Sequence, residues 1–127
     1  MFRIVIQGLC GIDYFSGRLE KLKKEIESFV EIESLLLDLA EEDREVSFWC
    51  PCDPTNTNDD SIFISVDLFF DEPKTDFDTR KKISSEISET FRRVVSSEEW
   101  QKPLSYLMVT VKEPGSGEDA FCIYRRK

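Results

Sequence analysis

Hydrophobic and polar positions alternate at the start of the chain. Phe2, Ile4 and Ile6 point one way and Arg3, Val5 and Gln7 the other, which is the period of a strand. Gly8, Gly11 and Asp13 break it, and Ser16 is placed to cap a helix. Leu19, Leu22, Ile26, Phe29 and Val30 then recur at helical spacing, with Lys21, Lys23, Lys24, Glu25 and Glu27 on the wet side. The helix is expected to end near Glu33 and Ser34, leaving Leu35 to Leu39 open as a last turn on the core. Glu41, Glu42 and Asp43 make an acidic connection. Val46 to Cys50 reads as a second strand, stopped by Pro51 and Pro54.

A polar loop from Thr55 to Asp60 marks the midpoint. Beyond it Ile62, Ile64, Val66, Leu68 and Phe70 form the apolar side of a long strand. Asp71 to Thr75 is a loop, and Asp78 is the expected cap of a helix whose stripe is Ile83, Ile87, Phe91, Val94 and Val95. Pro103 ends the next connection, and Leu104 to Val111 is a fourth strand. After a turn from Glu113 to Gly117, Phe121 to Tyr124 reads as a short terminal strand.

The order is strand-helix-strand twice over. Phe15, Ser16, Gly17 and Arg18 align with Phe77, Asp78, Thr79 and Arg80, so the pattern suggests a duplicated unit. The expected fold is α/β (α+β) in one domain over 1–127. Unit one covers 1–54 and unit two 61–127, in a four-stranded mixed sheet. Right-handed crossovers put both helices on one face of that sheet. The other face would hold Val5, Trp49, Phe63, Phe69 and either Tyr106 with Met108 or Leu107 with Val109. Arg3, Ser65 and Asp67 leave it too aromatic for water, so other subunits are expected to cover it. A merely mixed, wetted face is the plain alternative.

Length and composition fit this reading. At 127 residues, 40% hydrophobic and 34% charged, the chain can bury a core without disulfides or metals. Its net charge of −9 is the wrong sign for nucleic acid or an anionic membrane. No segment approaches the ~18 apolar residues of a membrane span, and Phe2 to Leu9 is too short for a signal sequence. A cytoplasmic location is expected, with Cys10, Cys50, Cys52 and Cys122 reduced. The absence of histidine removes imidazole chemistry. Cys50 and Cys52, one residue apart, lack the usual zinc spacing and a second pair, so no metal and no cofactor is expected. Trp49 and Trp100 are read as core or interface anchors. The tail Arg125, Arg126 and Lys127 is read as solubilising.

The doubled unit, the strand beginning at residue 2 and the tail strand after a Gly-bearing turn resemble the tautomerase superfamily. That family includes macrophage migration inhibitory factor and 5-carboxymethyl-2-hydroxymuconate isomerase. The strand Ile64 to Phe70, the loop Pro73 to Asp76 and the helix after it look like the isomerases' strand, Arg-bearing loop and helix. Val109 to Glu113, before Gly115 and Gly117, looks like the family's last strand. The resemblance implies a homotrimer with pockets near the chain N-terminus at subunit boundaries. It also implies an N-terminal proline whose secondary amine, its pKa lowered in an apolar site, shuttles protons.

This chain has Phe2 where that proline stands. Met1 is therefore expected to be retained, and proline-dependent tautomerase activity to be absent. The leading expectation is a tautomerase-like homotrimer that binds without proline chemistry. The enzymatic alternative uses the Met1 α-amine, titrating near ~8 when unperturbed, in a pocket of Met1, Phe2 and Lys74. Lys74 stands for the family's loop arginine without its bidentate fork. Arg18 and Arg80 open the two helices, where a cation gains nothing from the helix dipole. Arg18 and Lys74 are thus candidates for a small anionic or carboxylate ligand, against the plain reading of solvated surface charge. A ferredoxin-like interaction module shares the element order but pairs its strands antiparallel.

Overall fold

The computed structural model describes residues 1–9, 17–51, 61–96 and 104–126. Ser16, Cys10, Cys52, Trp100 and the loop from Thr55 to Asp60 lie outside the described residues. The elements are β1 (Phe2–Gln7), α1 (Arg18–Leu36), a 3-10 turn (Glu41–Arg44), β2 (Val46–Trp49), β3 (Ser61–Leu68), α2 (Phe77–Val95), β4 (Tyr106–Lys112) and β5 (Ala120–Arg125). They build one mixed sheet in the order β2-β1-β3-β4-β5 with two helices packed on it.

Each βαβ unit pairs its own strands in parallel, β1 with β2 and β3 with β4. The two units meet antiparallel through β1 and β3, with Phe2 opposite Leu68 and Gln7 opposite Phe63. β1 and β2 as parallel neighbours is not the antiparallel pairing of a ferredoxin-like module. The sheet has five strands and not four, because the tail does more than add a fragment. Gly115 at φ 81 and Gly117 at φ 91 let the chain reverse, and β5 pairs antiparallel along β4 from Ala120 to Arg125.

The alternation in sequence becomes two chemically distinct faces. Phe2, Ile4, Ile6, Ile62, Ile64, Val66, Leu68, Leu107, Val109 and Val111 are buried beneath the helices. Leu19, Leu22, Ile26 and Val30 of α1 meet them, as do Ile83, Ile87, Phe91, Val94 and Val95 of α2. Leu107 and Val109 therefore belong to the core, and Tyr106 and Met108 to the opposite face. No helix among the described residues is long and apolar enough to cross a membrane.

Helix ends differ from expectation in detail. α1 runs past Glu33 and Ser34, both buried, and stops where Asp38 turns left-handed at φ 52 while Leu39 N donates to the Ser34 carbonyl at 3.0 Å. At its start Gly17, at φ 78, stands in the cap position with no side-chain bond. α2 is capped by Asp76 and not Asp78: the Asp76 carboxylate accepts from Thr79 N at 2.7 Å. Across the helix pair, Lys82 reaches the buried Glu33 carboxylate at 3.3 Å.

Gly8 is the tightest backbone point. At φ +102, a β-carbon there would stand 2.3 Å from the Ser61 carbonyl oxygen, where β1 passes the start of β3. Gly8→Ala is expected to cost about 1–3 kcal/mol from backbone strain alone. The check is a lower urea midpoint at unchanged m-value; an unchanged midpoint contradicts it.

Candidate functional site

Because the helices cover one side, the other side of the sheet carries whatever the strands present outward. Cross-strand register arranges it in rows. One row runs Trp49, Val5, Ser65, Thr110, Phe121 across all five strands. A second runs Gln7, Phe63, Met108, Ile123. A third holds Ser47, Arg3, Asp67 and Lys112.

This face is mixed, and its large apolar side chains stand uncovered. Trp49 is 59% exposed, Phe121 52%, and Phe63, Phe69 and Ile123 41% each. Cations lie over several rings: Arg3 over Trp49 at 5.8 Å, Arg125 over Tyr106 at 5.6 Å and Lys81 over Phe121 at 5.4 Å. Phe63 and Tyr106 lie ring to ring at 5.6 Å.

The amine candidate lies at the end of β1, an inner strand of the same sheet. The Met1 amine donates to the Phe69 carbonyl at 2.6 Å, and Phe69 N donates back to the Met1 carbonyl at 2.8 Å. Desolvation lowers its pKa, while the carboxylates of Asp43, Glu45 and Asp71 pull it up again. Phe2 does not line a pocket: it is fully buried on the helix side, edge-on to Phe70 at 5.6 Å. Lys74 is exposed, in the loop before α2, and Arg18 is half-buried at the first turn of α1. None of Met1, Phe2, Arg18 and Lys74 lines the cavity beside α1 or the one on the open sheet face.

Beside Lys74 lies a polar cluster that periodicity does not reveal. Glu113, 5% exposed, accepts from Thr75 Oγ1 and Ser116 Oγ at 2.7 Å, from Thr75 N at 2.9 Å and from Lys74 N at 3.0 Å. Arg80, 1% exposed, donates to the Thr75 carbonyl at 2.7 Å, the Ser116 carbonyl at 3.0 Å and the Glu118 carbonyl at 3.1 Å. Arg80 is thus a buried structural cation and not solvated surface charge. Thr75 and Ser116 join it to Glu113 and bind the loop before α2 to the β4–β5 turn. The sequence signal was an acidic residue between a strand end and a Gly-bearing turn, too common to single out.

No protein-family model, curated protein or solved structure matches this chain. Its chemistry therefore rests on its own residues. Among the described residues no group of three His, Cys, Asp or Glu can hold a metal ion. Cys50 and Cys122 are free thiols, both half-buried. Burial pushes the Cys50 thiol up, although Lys23 nearby works against it, so it is no thiolate at neutral pH. Two cavities are described. One, of about 500 Å³, lies between α1, the 3-10 turn and β2 and is lined by Glu27, Val30, Glu31, Glu41, Arg44 and Val46. The other, of about 230 Å³, lies on the open sheet face around Ser65.

Burial raises the Glu113 carboxyl, but the donors from Ser116, Lys74 and Thr75 outweigh it and hold it below the usual carboxylate range. Its stabilising effect is thus present above the unfolded-state pKa of ~4.3 and lost as pH falls through the lower folded value. Glu113→Gln is expected to cost about 2 kcal/mol at neutral pH and to flatten the fall of stability below that pH. Urea titrations at several pH values check both, and equal pH slopes in the two proteins contradict the assignment.

Proposed function

We propose that the protein is a tautomerase-like homo-oligomer, a trimer, which binds a small anionic or carboxylate ligand without proline-dependent tautomerase chemistry. The observation that carries this reading is the uncovered aromatic face. Five strands ~4.8 Å apart, each ~6 residues at ~3.3 Å per residue, span on the order of 500 Å² in plan. That is a large share of the ~800 Å² each partner contributes to a specific interface. Over that area the exposed rings of Trp49, Phe63 and Phe121 interleave with polar side chains, the mixed and aromatic-rich composition of a contact with other protein. A second copy is the fitting occupant, because the exposed rings can pack against their own copies, while Asp67 answers part of the charge of Arg3, Lys112 and Arg125 across the contact. The paired parallel units, set antiparallel through β1 and β3, support the family reading. Phe2, locked in the core, supports the loss of the proline mechanism.

Light scattering of the full chain is expected to give a mass near three times 14.8 kDa. The double variant Trp49→Ser with Phe121→Ser removes two exposed anchors and leaves the core untouched. It is expected to be folded and monomeric. A wild-type chain that is monomeric at tens of micromolar overturns the assembly.

The lowered Met1 amine favours one second reading, a weak keto-enol tautomerase with that amine as base. A base near neutrality is efficient, though here it must first leave its bond to the Phe69 carbonyl. Phenylpyruvate enolisation is expected to disappear when the N-terminus is acetylated, and intact-mass measurement is expected to find Met1 retained. Activity that survives the block rules this reading out.

A further inference from the structure

The depression on the open sheet face has a construction of its own. Its lining is Gln7 from β1, Phe63, Ile64 and Ser65 from β3, and Met108, Thr110 and Lys112 from β4. These are the three central strands, paired in register, so the floor is as rigid as the sheet. The hollow exists because Ser65 and Thr110 are cross-strand partners with short side chains. The next row on one side holds Phe63 and Met108, and on the other Asp67 and Lys112. Farther along their own row stand the exposed rings of Trp49, beyond Val5, and of Phe121.

Its chemistry is the opposite of the chain's. The chain carries 26 acidic residues, and the cavity beside α1 is lined by Glu27, Glu31 and Glu41. No carboxylate lines the hollow over Ser65. Instead it gathers the ammonium of Lys112, the hydroxyls of Ser65 and Thr110 and the amide of Gln7. Among the described residues these four polar side chains make no hydrogen bond or ion pair with protein. The ring of Phe63 and the thioether of Met108 provide an apolar wall. Lys112, Ser65 and Thr110 thus lie toward one end of the hollow, while Gln7 stands in the row of Phe63 and Met108 at the other. A few placed polar groups beside an apolar wall are the usual design of a small-ligand site.

We propose that this hollow binds a small carboxylate with an apolar or aromatic body, its charged end at Lys112, Ser65 and Thr110 and its body against Phe63 and Met108. The site goes beyond the assembly reading and does not rest on it, because one chain supplies the whole lining. Where copies cover the face, the ligand lies between them.

The test is a titration of the full chain with benzoate, followed by amide shifts in two-dimensional NMR. Benzyl alcohol, the neutral isostere, and inorganic phosphate, an anion without a body, are the comparisons. Saturable millimolar binding of benzoate is expected, with shifts centred on Gln7, Ser65, Thr110 and Lys112. Lys112→Gln is expected to weaken it roughly three- to fivefold, the range of one exposed charge contact. Ser65→Leu fills the hollow and is expected to abolish binding, with an otherwise native spectrum. Three outcomes overturn the proposal: benzyl alcohol or phosphate binding as tightly as benzoate, unchanged affinity in Lys112→Gln, or shifts centred on another surface. Light scattering of the same samples separates the two readings. A monomer that binds benzoate here keeps the site and loses the assembly; a trimer whose hollow ignores benzoate does the reverse.

Discussion

A parallel pair of strands joined by a helix places that helix on a fixed side of the sheet, because the crossover is right-handed. Here that constraint acts twice. β1 and β3 are antiparallel neighbours, so the second unit is turned end for end within the plane. Such a rotation leaves its helix on the same side as the first. Both helices therefore compete for one face and none is left for the other. Ile4 and Ile64 are buried while Val5 and Phe63, one residue away, are not. A strand has a period of two, so every outward residue is fixed by the inward one beside it.

The second unit needs more than apolar packing. Its loop from 71 to 76 and its tail turn follow the parallel strands β3 and β4 and so lie at the same end of the sheet. Arg80 of α2 and Glu113 tie them together with opposite charges that never touch directly, linked through Thr75 and Ser116. Burying a charge is costly unless its hydrogen bonds are made. Glu113 accepts from two backbone amides and two hydroxyls, and Arg80 donates to three carbonyls. With those bonds in place the turn holds the start of β5 alongside β4, adding to the pairing of the two strands.

Strand faces were legible in the sequence because period two is a simple code, and Ile62 to Leu68 carries it without a break. The helices were legible by their stripes, not by their ends. α1 ends through a left-handed Asp38 that no glycine announces, and both Asp76 and Asp78 have the side chain of a cap. Only the loop's path decides that Asp76 stands at the right place to accept from Thr79. Arg80 looked like surface charge because charge usually is; its burial comes from a tail turn more than thirty residues on. β4 left Tyr106 with Met108 and Leu107 with Val109 equally open, since a run of four apolar residues carries no period. The hollow was illegible for a related reason. It is made by short side chains on separate strands, and only the register brings Ser65 beside Thr110.

The charge on the open face bears on how copies could meet there. Among the outward strand residues Arg3, Lys112 and Arg125 face Asp67 alone, in a chain whose net charge is −9. Apolar rings draw such faces together, but each face brought in adds like charge to a space that loses its water. Coulomb repulsion grows as the local dielectric falls, so an assembly built from bare faces alone works against itself. Two things on the face can relieve it. Asp67 can answer part of the charge across the contact, and an anion seated by Lys112 can answer more. Ligand and assembly then stabilise each other by ordinary linkage: whatever favours the closed face favours the bound carboxylate, and the reverse. In the proposed assembly the acidic remainder of the surface would keep one assembly from the next. A basic, aromatic sheet would then sit inside an acidic shell, and the same charge that opposes contact between copies would supply the reason for a ligand between them.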